Sequence, residues 1–200
     1  MASRGFTLIE VLIATSLLAV MSLILTASLR MAAASWEKGE VSVERASRAL
    51  VVQEFLRARL ATALPIREPG EMNRMVLAFR GTSQTLSFVS TLPAYVRGGL
   101  HRFRLYLAQR EDGTDLRVAV LPLTNNPQDP VAPIDDVLVL EGVTQFRLSY
   151  LGQNERNGEL VWVEEWNEPV MPRMVRFVIQ PEGEDPWPPL LVAPRLEVAR

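Results

Sequence analysis

Phe6-Thr7-Leu8-Ile9-Glu10-Val11-Leu12-Ile13 opens an apolar run that extends to Leu29, and Glu10 is the only charged residue in it. Because ~20 to 24 helical residues at ~1.5 Å each cross a hydrocarbon core of ~30 Å, the run has the length of a membrane span. An ionisable side chain within such a span is costly, and it normally marks function and finds a partner. The chain therefore begins with an apolar helix, and Glu10 is its first candidate functional residue.

Two readings compete for this stretch. A secretory signal peptide has several early Lys or Arg, an uninterrupted apolar run and a small-x-small cleavage site; Ala32-Ala33-Ala34 offers such a site. Here, however, the leader Met1 to Gly5 holds one Arg, and a carboxylate falls where the apolar run begins. Arg4-Gly5-Phe6-Thr7-Leu8-Ile9-Glu10, with the long apolar run behind it, resembles the type III signal of the type IV pilin and type II secretion pseudopilin superfamily. The resemblance implies that residues 1–5 are a leader, that a prepilin peptidase cuts between Gly5 and Phe6 on the cytoplasmic side, and that the new amino terminus is methylated. The apolar helix then stays on the mature protein, and the amine freed at Phe6 is the nearest new cation for Glu10, on the same subunit or a neighbour. Such a pair would set the axial register between subunits, since burial weakens screening and makes the unpaired state costly. Against this stands a Glu10 that is solvated at the headgroup level and inert.

The 200 residues fit one domain plus a membrane helix. A formal charge of −2 and the lack of a basic tract exclude nucleic acid as an expected partner on bulk electrostatics. With no cysteine, disulfides and thiolate metal sites are excluded; many major adhesive pilins carry a Cys pair, so this also counts modestly against one of those. Arg4 faces Arg30 and Lys38 across the span, so charge counting gives no orientation. It is the resemblance that implies an N-terminus in the cytoplasm, an inner-membrane anchor and a periplasmic C-terminal domain.

Beyond the span no Pro precedes Pro65, and Gly39 alone interrupts the helix formers, so one helix is expected from about Phe6 to Leu64, with a soft point at Gly39. Residues 6–29 form its membrane and fibre-core part, and residues 30–64 an amphipathic continuation. In the latter, Val43, Ala46, Leu50, Val52, Phe55, Leu56, Leu60, Ala63 and Leu64 recur at helical spacing between charged residues. Pro65 and Glu68-Pro69-Gly70-Glu71 end it. From residue 65 on the pattern turns to strands, expected at 75–80, 85–91, 100–108, 116–121, 137–140, 143–151, 160–166 and 174–180. The proline-rich tail reads as an extended coat with at most an edge strand at Leu190 to Val192. Helix first and strands afterwards is an α+β pattern: a long N-terminal helix packed on an antiparallel β-sheet domain. By resemblance this is the pilin-like fold. Segments such as Leu86-Ser87-Phe88-Val89-Ser90-Thr91, Gly98 to Leu107, Val137 to Val143 and Trp162-Val163-Glu164-Glu165-Trp166 are similar to the J-type minor pseudopilins of type II secretion systems.

Candidate chemistry is sparse. His101 is the sole histidine, and no nucleophile elbow, phosphate loop, paired-histidine or EF-hand motif accompanies it; it reads as a surface or edge residue. Asp112/Asp115 and Asp129/Asp135/Asp136 are oxygen donors of the kind calcium takes, although Asp is common in turns for its own backbone hydrogen bonds. Arg97, Arg102, Arg104 and Arg110 read as a solvated basic face. Trp162 and Trp166 share a face of their predicted strand, as core packing against the helix or as a candidate interface. No catalytic constellation, cofactor or metal is called for. The resemblance implies a structural role in a pseudopilus tip, with the other minor pseudopilins (I, K and H), the major pseudopilin and the prepilin peptidase as partners. A minor pilin of a type IV pilus, used in motility or DNA uptake, is the alternative, and a membrane-anchored periplasmic enzyme a third reading.

Overall fold

The computed structural model describes residues 7–70, 74–92, 98–123, 132–154 and 158–194, excepting the side chains of 32–35 and 37–42. Helix α1 runs Leu8–Ala61, with Gly39 inside it rather than at its end. It ends three residues before the predicted Leu64. Pro65 has no N–H and pushes the residue before it into extended backbone, and Leu64 accordingly donates its N–H to the Val89 carbonyl at 2.8 Å. The chain divides into two compact units, Met1–Ala49 and Leu50–Arg200.

In the first unit the side chains from Leu8 to Met31 are exposed all round the helix. In the second, only the last turns of α1 bury a face: Val52, Leu56 and Leu60 are at most 5% exposed. Val43 and Leu50, expected on the same packing face, are 66% and 67% exposed.

Eleven strands follow among the described residues: β1 (Arg67–Pro69), β2 (Met75–Leu77), β3 (Arg80–Gly81), β4 (Leu86–Thr91), β5 (Leu100–Arg110), β6 (Gly113–Pro122), β7 (Asp135–Leu140), β8 (Val143–Gln153), β9 (Leu160–Val163), β10 (Met174–Pro181) and β11 (Leu190–Val192). The single sheet expected from sequence is a β1-β2 hairpin and two antiparallel sheets, β3-β4-β5-β6-β7 and β11-β10-β8-β9. The α+β expectation holds, and Leu190–Val192 is an edge strand as read. Leu56 and Leu60 share an apolar layer with Phe88 and Phe103 of the first sheet and Phe177 of the second. Phe88 and Phe103 are register partners and stack at 5.5 Å.

The chain passes between the sheets at Glu141-Gly142, where Gly142 adopts φ 64° and donates its N–H to Asp115 Oδ1 at 3.1 Å. A second tie is made of rings and glycines. Tyr150, fully buried on β8, donates its hydroxyl to the Thr82 carbonyl at 2.9 Å in the β3–β4 turn. Its ring meets Phe79 edge-on and Trp166 at a tilt, both at 6.3 Å. Burial pushes the Tyr150 hydroxyl well above the usual tyrosine range, so it stays a donor. A Cβ on Gly81 would fall 1.9 Å from that hydroxyl, and one on Gly152 2.5 Å from the Trp166 ring. Gly81 and Trp166 exchange two backbone hydrogen bonds at 2.8 and 3.0 Å, which binds β3 of one sheet to the segment that follows β9 of the other.

β1 departs from the sequence expectation, in which Glu68-Pro69-Gly70 reads as a turn. It exists because Glu68, 5% exposed, is clamped by two arginines. Arg102 on β5 grips both carboxylate oxygens, and Arg80 Nη2 lies 2.5 Å from Oε1. Arg102 is therefore buried rather than part of a solvated face, whereas Arg104 is exposed as expected. Arg97 lies outside the described residues.

Two stability predictions follow, both read from unfolding of the detergent-solubilised chain. Glu68→Ala strands a buried guanidinium and is expected to cost about 3–5 kcal/mol, with Glu68→Leu/Arg102→Leu recovering most of it; equal losses in the single and double variants would refute the pairing. Gly81→Ala overpacks the tie and should cost about 1–3 kcal/mol. Combined with Tyr150→Leu it should cost less than the sum of the two singles, and strict additivity would mean that the ring does not set the limit.

Candidate functional site

The N-terminal site is built on a helix start. Thr7 precedes α1 and accepts at Oγ1 from the Glu10 N–H at 3.3 Å, while its carbonyl receives the Glu10 and Val11 N–H groups at 3.1 and 3.2 Å. Thr7 is thus the N-cap and Glu10 the third helical residue, the spacing of a capping box. A carboxylate in the first turn is also favoured by the positive end of the helix dipole. The sequence Thr7-x-x-Glu10 carries this signal, which the reading of Glu10 by its charge alone passed over.

Within Leu8–Met31 the most apolar eighteen residues have a mean hydropathy of 2.5, and none of them is buried. Three hydroxyl groups of the helix are satisfied locally. Ser16 donates to the Ile13 carbonyl at 2.8 Å and Thr26 to the Ser22 carbonyl at 2.7 Å; Thr15 does the same to Leu12 at 3.1 Å. Between Phe6 and Leu29 the one charged group is the Glu10 carboxylate, which hydrocarbon accepts least. Chemically, the arrangement offers one anion at the end of an apolar rod, a place to receive a cation. Gly5 and Phe6, expected to flank the processed bond, lie outside the described residues.

The other sequence candidates take structural places. His101 is buried on β5, not at the surface, and its Nδ1 lies 3.3 Å from the Gly99 carbonyl. Its register partner Ser90 donates its hydroxyl to the Thr62 carbonyl at 3.1 Å, fastening the end of α1 to β4, and no Ser–His hydrogen bond forms among the described residues. Asp115 is the acceptor at the crossover between sheets, with Arg110 Nη2 3.7 Å away, and Asp136 is held by Arg117 Nε at 3.1 Å and the Tyr106 hydroxyl. Asp112 is exposed, Asp129 lies outside the described residues, and among those described no group of three or more His, Cys, Asp or Glu converges on a metal position. Trp162 and Trp166 do not share a strand face, because β9 ends at Val163. Trp162 is 38% exposed beneath the Arg176 guanidinium, 4.5 Å from the ring centroid. Trp166 is 4% exposed and donates its Nε1–H to the Val170 carbonyl at 2.9 Å.

Residues 1–26 match the family described as the prokaryotic N-terminal methylation motif. Over 196 residues, 96% of this chain and 92% of the relative, the sequence is 32% identical to type II secretion system protein J of Xanthomonas campestris pv. campestris. With a pilin-type N-terminal motif joined to a pilin-like α+β domain, and with that identity over nearly the whole of both sequences, the chain belongs to the type II secretion system protein J family.

Proposed function

We propose that the chain is a structural, non-enzymatic minor pseudopilin, held by residues 6–29 in the inner membrane with residues 65–200 in the periplasm, and drawn from there into the tip of a short fibre. The observation that carries this reading is the capped, wholly unburied apolar helix with a single carboxylate in its first turn. In it, residues 1–5 are the leader, the prepilin peptidase cuts between Gly5 and Phe6, and the new amine is methylated. Residues 30–64 carry the helix into the β domain. Glu10 pairs with a Phe6 amine and so recruits the subunit, while residues 11–29 pack in the fibre core. The other minor pseudopilins (I, K and H) surround it at the tip, with the major pseudopilin below. Trp162 is the exposed tryptophan and the candidate contact residue; Trp166 works inside the domain. A near full-length likeness to a type II secretion protein favours this over a type IV pilus, which would use the same anchor.

Glu10→Ala should insert and be processed normally. Loss of a buried pair costs about 3 kcal/mol, so co-assembly with the other subunits should fall on the order of 100-fold; pull-down of assembled fibres that retain the variant at wild-type yield would remove Glu10 from the mechanism. Deleting the gene in its host is expected to leave an exported enzyme in the periplasm instead of the medium, and normal export would return the type IV pilus reading to first place, testable through twitching and DNA uptake.

A further inference from the structure

The outer strands of the two larger sheets are not protected alike. β3 is two residues long and closed by its bridge to Trp166. β7 opens on Asp135-Asp136, and β11 is three residues set between Pro188-Pro189 and Pro194. Short length, charge, proline and cover are the devices that keep strand edges from pairing with other chains. β9 has only its shortness. Leu160-Val161-Trp162-Val163 contains no charge, Pro or Gly, its residues are 36–51% exposed, and among the described residues β8 is its only strand partner.

The surrounding charge defines what such an edge accepts. Residues 158–172 contain Glu159, Glu164, Glu165 and Glu168 and no Lys, Arg or His. A groove of about 570 Å³ runs beside β9, where Val161 and Val163 meet Val170, Glu165 and Glu168. Arg147 lies 3.8 Å from Glu164, and Arg173, also on the groove, turns its Nη2 to Gln153 at 3.4 Å. Glu165 and Glu168 meet no cation among the described residues. On the opposite face Trp162 already has its guanidinium, from Arg176.

An added strand presents its side chains alternately to these two faces. On the groove face it meets valines rimmed by Glu165 and Glu168, which meet no cation among the described residues; on the other it meets Leu160 and Trp162. We propose that β9 is the docking edge for an extended segment of a different polypeptide, apolar with interspersed Lys or Arg, which adds as a fifth strand to the β11-β10-β8-β9 sheet. Main-chain hydrogen bonds hold such a strand, and the valine and glutamate side chains select it. The inference rests on the pseudopilin reading, which supplies an assembly for the strand to come from.

The test uses the full-length chain in the membranes of its host, with a photo-reactive benzoylphenylalanine in place of Val163 and, as control, in place of Arg104 in the middle of the five-stranded sheet. The expected product joins position 163 to an extended segment of another protein that mixes apolar residues with Lys or Arg, and Glu165→Lys/Glu168→Lys lowers its yield about tenfold. No product above the Arg104 control overturns the proposal, as does linkage to an acidic or helical segment or to a second copy of this chain. In parallel, a strain lacking the gene is complemented with the wild-type chain or with Val161→Lys/Val163→Lys, whose positions are exposed. Wild-type rescue with loss of export in the variant supports the docking edge; full rescue by both overturns it and leaves the pseudopilin reading standing. Normal export in the uncomplemented strain is the separate failure of that reading, and the cross-linked product still decides the edge on its own.

Discussion

Hydrocarbon accepts a polypeptide only when its backbone polar groups are satisfied within the segment, and the N-terminal part of this chain is built to that rule. The helix supplies the main-chain bonds, and Ser and Thr turn their hydroxyls onto carbonyls of the preceding turn. A single carboxylate stands outside this economy. A group that costs free energy where it sits is informative, because another residue at the same place would cost less. The unburied helix and its one anion thus belong together: the surface suits apolar surroundings, and the charge is the one group in it that they disfavour.

The β domain solves a different problem, that of holding two sheets and a helix end against one another without disulfides. It does so with contacts that leave little freedom. A tyrosine reaches from one sheet into a turn of the other, glycines let large rings come within van der Waals reach, and a carboxylate is shared by two arginines. Serine and threonine fasten the helix end to the first sheet. Each of these joins elements far apart in sequence, so their cost in chain entropy is met only when the whole domain is in place. Unfolding of this unit should accordingly be cooperative.

Much of this was legible from residue order. The apolar run with its carboxylate, the helix that lasts until proline intervenes, and the strands near residues 86–91, 100–110, 143–153 and 174–181 all follow from local spacing. What was not legible depends on pairing. Glu68-Pro69-Gly70 looks like a turn until Arg102 and Arg80 are known to converge on Glu68, so neither β1 nor the burial of Arg102 can be read from local spacing. Alternation alone carried the 160–166 strand past Val163, whereas the backbone of Trp166 pairs with Gly81 instead. His101 looks peripheral because it follows Gly98-Gly99-Leu100 and precedes an arginine; its neighbours in space are β4 and β6. Asp115 looked like a free turn acid, yet it receives a main-chain N–H from a residue beyond the next strand.

The position of the N-cap carries one further meaning. Thr7 stands two residues past Gly5, so the bonds that start the helix belong entirely to the part of the chain that remains if the leader is removed there. Removing residues 1–5 would then alter the electrical character of the tip without altering the mechanical element behind it. A cationic leader would give way to a lone amine, while the first helical turn, and the height at which Glu10 is carried, would stay as they were. Processing of this kind works as a change of terminal, made on a rod whose length is already set.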